Sequence, residues 1–190
     1  MNADRGFTLV ELAMVMAIVA ITLSYSIPYA RSWIANTKIR SAADSLQNGL
    51  RFTQLEAAKR NQNVEFVLTT SVPIASNVGS LVASNSGSNW VARVDTSATN
   101  TPSYVFLRGQ SGSESAKGIS VTLTGGGASY VSPIIFTALG RVSGVTSQIQ
   151  IDFDDASLTD DRPLRVIISP AGRVKMCDPS KPAGNAQACT

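Results

Sequence analysis

Between Phe7 and Ile27 the sequence FTLVELAMVMAIVAITLSYSI carries a single charged side chain, Glu11, and this run constrains the fold more than any other feature. As a helix it extends roughly 32 Å at about 1.5 Å per residue, enough to cross the hydrocarbon core of a bilayer. A secretory signal peptide has a shorter apolar core that ends at a small-residue cleavage site, after which the mature sequence starts afresh. Neither holds here, because no A-x-A-like site follows and the helical pattern carries on past the apolar run. A carboxylate in hydrocarbon costs on the order of 3 kcal/mol, so Glu11 calls for a function and a partner.

After Pro28 the pattern turns amphipathic. Ile39, Ala43, Leu46, Leu50, Thr53 and Ala57 recur at helical spacing, while Lys38, Arg40, Asp44, Gln47, Arg51 and Lys59 fall on the other faces. The spacing predicts one helix from residue 7 to about residue 60, ended by Asn61-Gln62-Asn63. Pro28 has no N–H and its ring crowds the preceding turn, which predicts a kink or local loosening around Ser24 to Ile27.

Beyond residue 63 the period becomes that of strands. Val64–Leu68, Trp90–Val94, Tyr104–Leu107, Ile119–Leu123, Ile134–Phe136, Gln148–Phe153, Leu164–Ile168 and Arg173–Met176 alternate or run apolar. Glycine-rich breaks at Gly109 to Gly112, Gly125 to Gly127, Gly140, Gly144 and Pro170-Ala171-Gly172 separate them. A long helix followed only by strands predicts an α+β fold, with the amphipathic half of the helix laid on an antiparallel sheet. The irregular stretch Ser71 to Gly87 reads as a surface loop. A chain of 190 residues holds one domain plus an appendage, and its charged fraction of 15% reflects a Ser-, Thr-, Asn- and Gly-rich tract between residues 70 and 130 that suits an extracytoplasmic domain.

The leader ending in Gly6, then Phe7, then Glu11 within an apolar run, then Pro28 and the amphipathic continuation, closely resembles the type IV pilin and type II secretion pseudopilin superfamily through its G-F-T-L-x-E-L motif. Two further phrases, Phe136-Thr137-Ala138-Leu139-Gly140-Arg141-Val142 and Gly172-Arg173-Val174, resemble the paired F-x-x-x-G-R and G-R-V elements of its GspH/FimT-type minor pilins and pseudopilins. The resemblance implies a pilin fold, with residues 1–6 a leader, 7–30 the transmembrane and filament-core half of the helix, and 31–62 its amphipathic half. Residues 63–176 become an extracytoplasmic β-domain and 177–190 a C-terminal tail. It implies prepilin peptidase cleavage between Gly6 and Phe7, N-methylation of Phe7, and docking of Glu11 on the Phe7 amine of a neighbouring subunit. It places the chain in a bacterial inner membrane by a single pass, with the domain in the periplasm, and in a pilus or pseudopilus with other pilin subunits, near the tip. Pilus assembly, type II secretion and DNA uptake all stay open.

With the domain outside the cytoplasm, Cys177 and Cys189 are expected to form a disulfide, worth about 3 kcal/mol in the chain-entropy model. The chain has no histidine, so neither a Cys/His metal set nor imidazole catalysis is available. With no G-x-S-x-G elbow, Walker loop or G-x-G-x-x-G either, no enzymatic activity and no cofactor are expected. The net charge of +3 permits an anionic partner without requiring one. Some FimT-type pilins that this chain resembles contact DNA through a C-terminal G-R-x-R element, which Gly172-Arg173-Val174-Lys175 matches except that Lys replaces the last Arg. Arg173, Lys175 and Lys181 are therefore candidates for sequence-blind contact with double-stranded DNA. A solvated strand face accounts for the same alternation, and both readings stand at this level. Asp152, Asp154, Asp155, Asp160 and Asp161 lack the glycine and terminal glutamate of a calcium-binding EF-hand, so a solvated strand end partly neutralised by Arg162 and Arg165 is expected.

Overall fold

The computed structural model describes residues 8–97, 102–112, 118–127, 132–155 and 162–189, apart from the side chains of residues 26–28. Helix α1 spans Leu9–Arg60, 52 residues, and passes through Pro28 without a break. Thr8 caps its start, with Oγ1 accepting from the Glu11 N–H at 3.3 Å. Asn61 ends it in the left-handed conformation (φ 53°) that asparagine tolerates, and the Gln62 N–H reaches back to the Ala57 carbonyl at 3.2 Å.

All eight segments with strand pattern are strands: β1 Val64–Thr69, β2 Asn89–Asp95, β3 Tyr104–Gln110, β4 Ser120–Gly125, β5 Ile134–Phe136, β6 Ile149–Asp154, β7 Leu164–Ile168 and β8 Val174–Cys177. They divide into two four-stranded antiparallel sheets, β3-β2-β1-β5 and β4-β6-β7-β8. The chain alternates between the sheets from β3 to β6, and α1 packs on strands of both. This is why a single stripe of helix suffices for the whole core. Ile39, Ala43, Leu46, Leu50, Thr53 and Ala57 are all buried, against Val64, Phe66 and Leu68 of the first sheet and Ile149, Ile151, Phe153, Val166 and Ile168 of the second. Burial begins at Ala35; from Thr8 to Ile34 no described side chain is fully buried.

Gly49 sets the distance between α1 and the first sheet. Trp90 stacks on Phe66 with ring centroids 5.4 Å apart, directly beneath the helix. A Cβ at position 49 would stand 2.8 Å from the Trp90 ring and 2.9 Å from Phe66. The indole N–H is satisfied in place, donating to Ser45 Oγ at 3.2 Å, while the Ser45 hydroxyl donates to Gln110 Oε1 at 2.8 Å.

The stretch from Ser71 to Gly87 is a loop, but not one that lies wholly in solvent. The outer face of the first sheet carries Val67 and Val91, and the loop lays Val78 and Leu81 over them as a second small core. The buried Arg93 fastens this cover. Its guanidinium pairs with Glu65 at 2.8 Å, donates to the Val78 carbonyl at 3.0 Å, and sits 3.7 Å over the Tyr104 ring. The alternation in β1 and β2 is that of half-buried strands, so sequence pattern alone left the cover unseen.

Gly49→Ala is expected to destabilise the domain by about 1–3 kcal/mol through overpacking, whereas in an exposed helix the same change stabilises by roughly 1 kcal/mol. Urea unfolding of a soluble fragment starting at Ile34 measures it, and a midpoint raised by the substitution refutes the packing argument.

Candidate functional site

Three regions gather the residues that the sequence singles out. At the start of α1, Thr8 and Glu11 occupy the N-cap and first turn of the helix. Thr8-Leu9-Val10-Glu11 has the spacing of a capping box, a signal present in the sequence but masked by the apolar run around it. Glu11 is exposed on the free chain and has no salt-bridge partner among the described residues. The positive end of the helix dipole favours a carboxylate there by about 0.3–1 kcal/mol, well short of the roughly 3 kcal/mol that burial in hydrocarbon costs. Gly6 and Phe7 lie outside the described residues.

At the other end of α1, the two G-R phrases fold into the same turn twice. In the first, the Gly140 N–H donates to the Thr137 carbonyl and the Thr137 N–H to the Arg141 carbonyl, both at 2.8 Å. In the second, the Gly172 N–H donates to the Ser169 carbonyl at 2.8 Å and the Ser169 N–H to the Arg173 carbonyl at 3.0 Å. Gly140 and Gly172 hold φ of 72° and 86°, the left-handed region glycine enters without strain. The turns are stacked, since the Val142 N–H donates to the Pro170 carbonyl at 3.0 Å and a Cβ on Gly172 would fall 1.9 Å from the Gly140 oxygen. One side chain of the helix joins them: the Gln54 amide donates to the Gly140 carbonyl at 2.7 Å and to the Gly172 carbonyl at 3.0 Å. Gln54 thus links α1, the first sheet through the turn after β5, and the second sheet through the β7–β8 turn. Nothing in the helical pattern marks Gln54 off from other polar positions, and only its partners reveal it.

Arg141 and Arg173 follow these glycines and are both exposed, with Leu139 at 85% exposure on the tip of the first turn. Lys175 behaves differently, donating to the Ala188 carbonyl at 3.3 Å. Lys181 lines a groove of about 720 Å³ that also holds Arg40, Asp44 and Arg162 but neither Arg173 nor Lys175. Gln54 and Arg40 are separated by roughly 21 Å along the helix at about 1.5 Å per residue. Lys181 therefore lies apart from Arg173, and the turn that carries Arg173 is stacked on the turn that carries Arg141.

The tail is closed by a disulfide between Cys177 and Cys189, with Cα atoms 5.1 Å apart. Inside it the Asp178 N–H donates to the Gln187 carbonyl at 2.8 Å. Of the acidic run, Asp152 pairs across strands with Arg165 at 2.6 Å, and Asp155 is buried. Asp160 and Asp161 lie outside the described residues, among which no cluster suited to a metal ion occurs.

Residues 42–172 match the family described as type II transport protein GspH, and residues 1–26 match the prokaryotic N-terminal methylation motif. The fold is similar to that of the type IV minor pilin FimU of Pseudomonas aeruginosa, with a TM-score of 0.52 and 21% identity over 80% of this chain and 95% of that one. It is also similar to GspH of E. coli, with a TM-score of 0.51 and 17% identity over 81% of this chain and 99% of that one. A fimbrial protein of Moraxella nonliquefaciens is 38% identical over 61 residues, which amount to 32% of this chain and 38% of that protein. At these identities the structural neighbours show a common fold.

Gln54→Ala is expected to cost about 1–3 kcal/mol, because two inward carbonyls lose their donor together. Gly172→Ala is expected to cost more, since backbone rather than a side chain must give way. Denaturant unfolding of both variants tests the order, and a Gln54→Ala protein as stable as wild type removes the clamp.

Proposed function

The chain belongs to the GspH family of type II transport proteins, and we propose that it works as a non-catalytic minor pilin or pseudopilin, anchored in the inner membrane by the first half of α1 and drawn from there into a filament. The observation that carries this reading is the helix itself: residues 8 to 34 are mostly apolar and none of their described side chains is fully buried, whereas the stripe from Ala35 onward is committed to the β-domain. An apolar surface of that length needs lipid or other helices, and a filament core supplies the second. Prepilin peptidase cleaves between Gly6 and Phe7, the Phe7 amine is methylated, and the domain faces the periplasm. The methylation motif over residues 1–26 supports these steps.

Glu11 supplies direction to assembly. Once α1 enters a filament core the helix dipole offsets only a fraction of the Glu11 desolvation, so the packing that sets a neighbour's Phe7 amine beside the carboxylate is favoured over others. Glu11→Ala is expected to leave processing and membrane insertion intact and to reduce incorporation at least several-fold, measured by immunoblot of sheared filaments against the membrane fraction. Incorporation at the wild-type level contradicts the pairing.

A second reading, contact with double-stranded DNA, rests on the exposed Arg141 and Arg173 on stacked turns. Contact there is through phosphates and falls steeply with salt. In mobility shifts with the soluble domain, Arg141→Gln/Arg173→Gln is expected to weaken binding and flatten its salt dependence, while Lys175→Ala has little effect because that ammonium already serves the tail. Binding unchanged in the double variant rejects the patch.

A further inference from the structure

The sequence contains four tyrosines and two tryptophans, and three of these six residues, Tyr25, Tyr29 and Trp33, fall within one short stretch of α1. They stand at successive four-residue steps, which places them on one slowly drifting face of the helix. They are 72%, 79% and 70% exposed, and the domain's core begins immediately afterwards at Ala35. None of them serves the β-domain.

The charges fix what covers them. Between Glu11 and Arg31 there is no ionisable acid or base except the phenol of Tyr25 and Tyr29, and Lys38 and Arg40 follow Arg31 closely. The twenty-residue spacing from Glu11 to Arg31 rises about 30 Å, the thickness of a hydrocarbon core. A bilayer fitted to these limits has Glu11 at one boundary and Arg31 at the other, with Tyr25, Tyr29 and Trp33 straddling the second. Aromatic rings with a polar edge prefer that layer, where the ring is desolvated and the hydroxyl or indole N–H stays wet. Arginine and lysine beside them meet anionic headgroups.

We propose that Tyr25, Tyr29 and Trp33 form a contact with phospholipid headgroups on the domain side of the bilayer, setting the depth of α1 and holding Glu11 near the opposite boundary until a neighbouring subunit is met. The proposal rests on the membrane-anchored reading above. Both Glu11 and the β-domain are then placed by the same stripe: the carboxylate is kept out of the bilayer centre, and the domain is seated directly on the headgroup layer.

Trp33 reports its own position. The full-length chain is reconstituted in phosphatidylcholine–phosphatidylglycerol vesicles carrying bromine either near the headgroup or deep in the acyl chain. Emission of Trp33→Phe is subtracted from wild type, which removes the contribution of the buried Trp90. The difference spectrum is expected to lose most of its intensity with the shallow quencher and little with the deep one. In Tyr25→Ala/Tyr29→Ala, whose changes lie outside the core, the contrast between shallow and deep quenching is expected to narrow as the helix loses its fixed depth. Stronger quenching from the deep position, or an unchanged profile in the double variant, overturns the proposal. So does a Trp33 signal indifferent to both quenchers on a chain that floats with the vesicles, which assigns the stripe to water or to another copy and leaves the membrane anchor standing. A chain that does not float overturns the anchor as well.

Discussion

One continuous helix has to satisfy two solvents, and the rest of the molecule follows from how it does so. Helix α1 is about 78 Å long at roughly 1.5 Å per residue. The change from unburied to buried side chains comes at Ala35. C-terminal to it, every apolar position of the stripe is spent on the core, so the β-domain cannot slide along the helix or release it without exposing the centre of its own packing. N-terminal to it, no described side chain is fully buried against the domain. The domain is thus fixed rigidly to one half of a helix whose other half keeps its apolar surface free of the domain.

That rigidity depends on close approach at two places. Gly49 lets the backbone of α1 come down onto Trp90, and Gln54 ties both sheets to the last turns of the helix. The paired G-R phrases acquire a physical reason here. Each glycine provides the left-handed residue its turn requires, and the absence of a side chain on Gly172 lets the Gly140 carbonyl pass beside it. The arginines that follow are not needed for this geometry and point outward, so structural demand accounts for the glycines and leaves the arginines for another purpose.

Much of this was legible before any coordinates. The helix, its terminator and all eight strands follow from periodicity and turn residues, because each is encoded locally. The split into two sheets was not, since strand order depends on long-range pairing that alternation does not specify. Gln54 was missed for a related reason: a glutamine on a polar face carries no signal until its partners, far away in sequence, are known. The cation candidates were read from closeness along the chain alone. Arg173, Lys175 and Lys181 are close along the chain, but Lys181 lies beyond β8 in the tail loop and Lys175 donates to the tail at Ala188. Conversely the turn that carries Arg141, distant in sequence, stacks on the turn that carries Arg173.

The closed tail has a consequence for a protein whose family assembles with other pilin subunits. Strand β8 is the edge of the second sheet, four residues long, and the returning tail pairs Asp178 with Ala188 in parallel at its end. The hydrogen-bonding positions there are occupied by the chain itself, and what remains open is too short to recruit a strand from a neighbour. Crosslinking Cys177 to Cys189 keeps that cover in place. This edge is thereby closed to sheet-to-sheet association with a neighbouring chain.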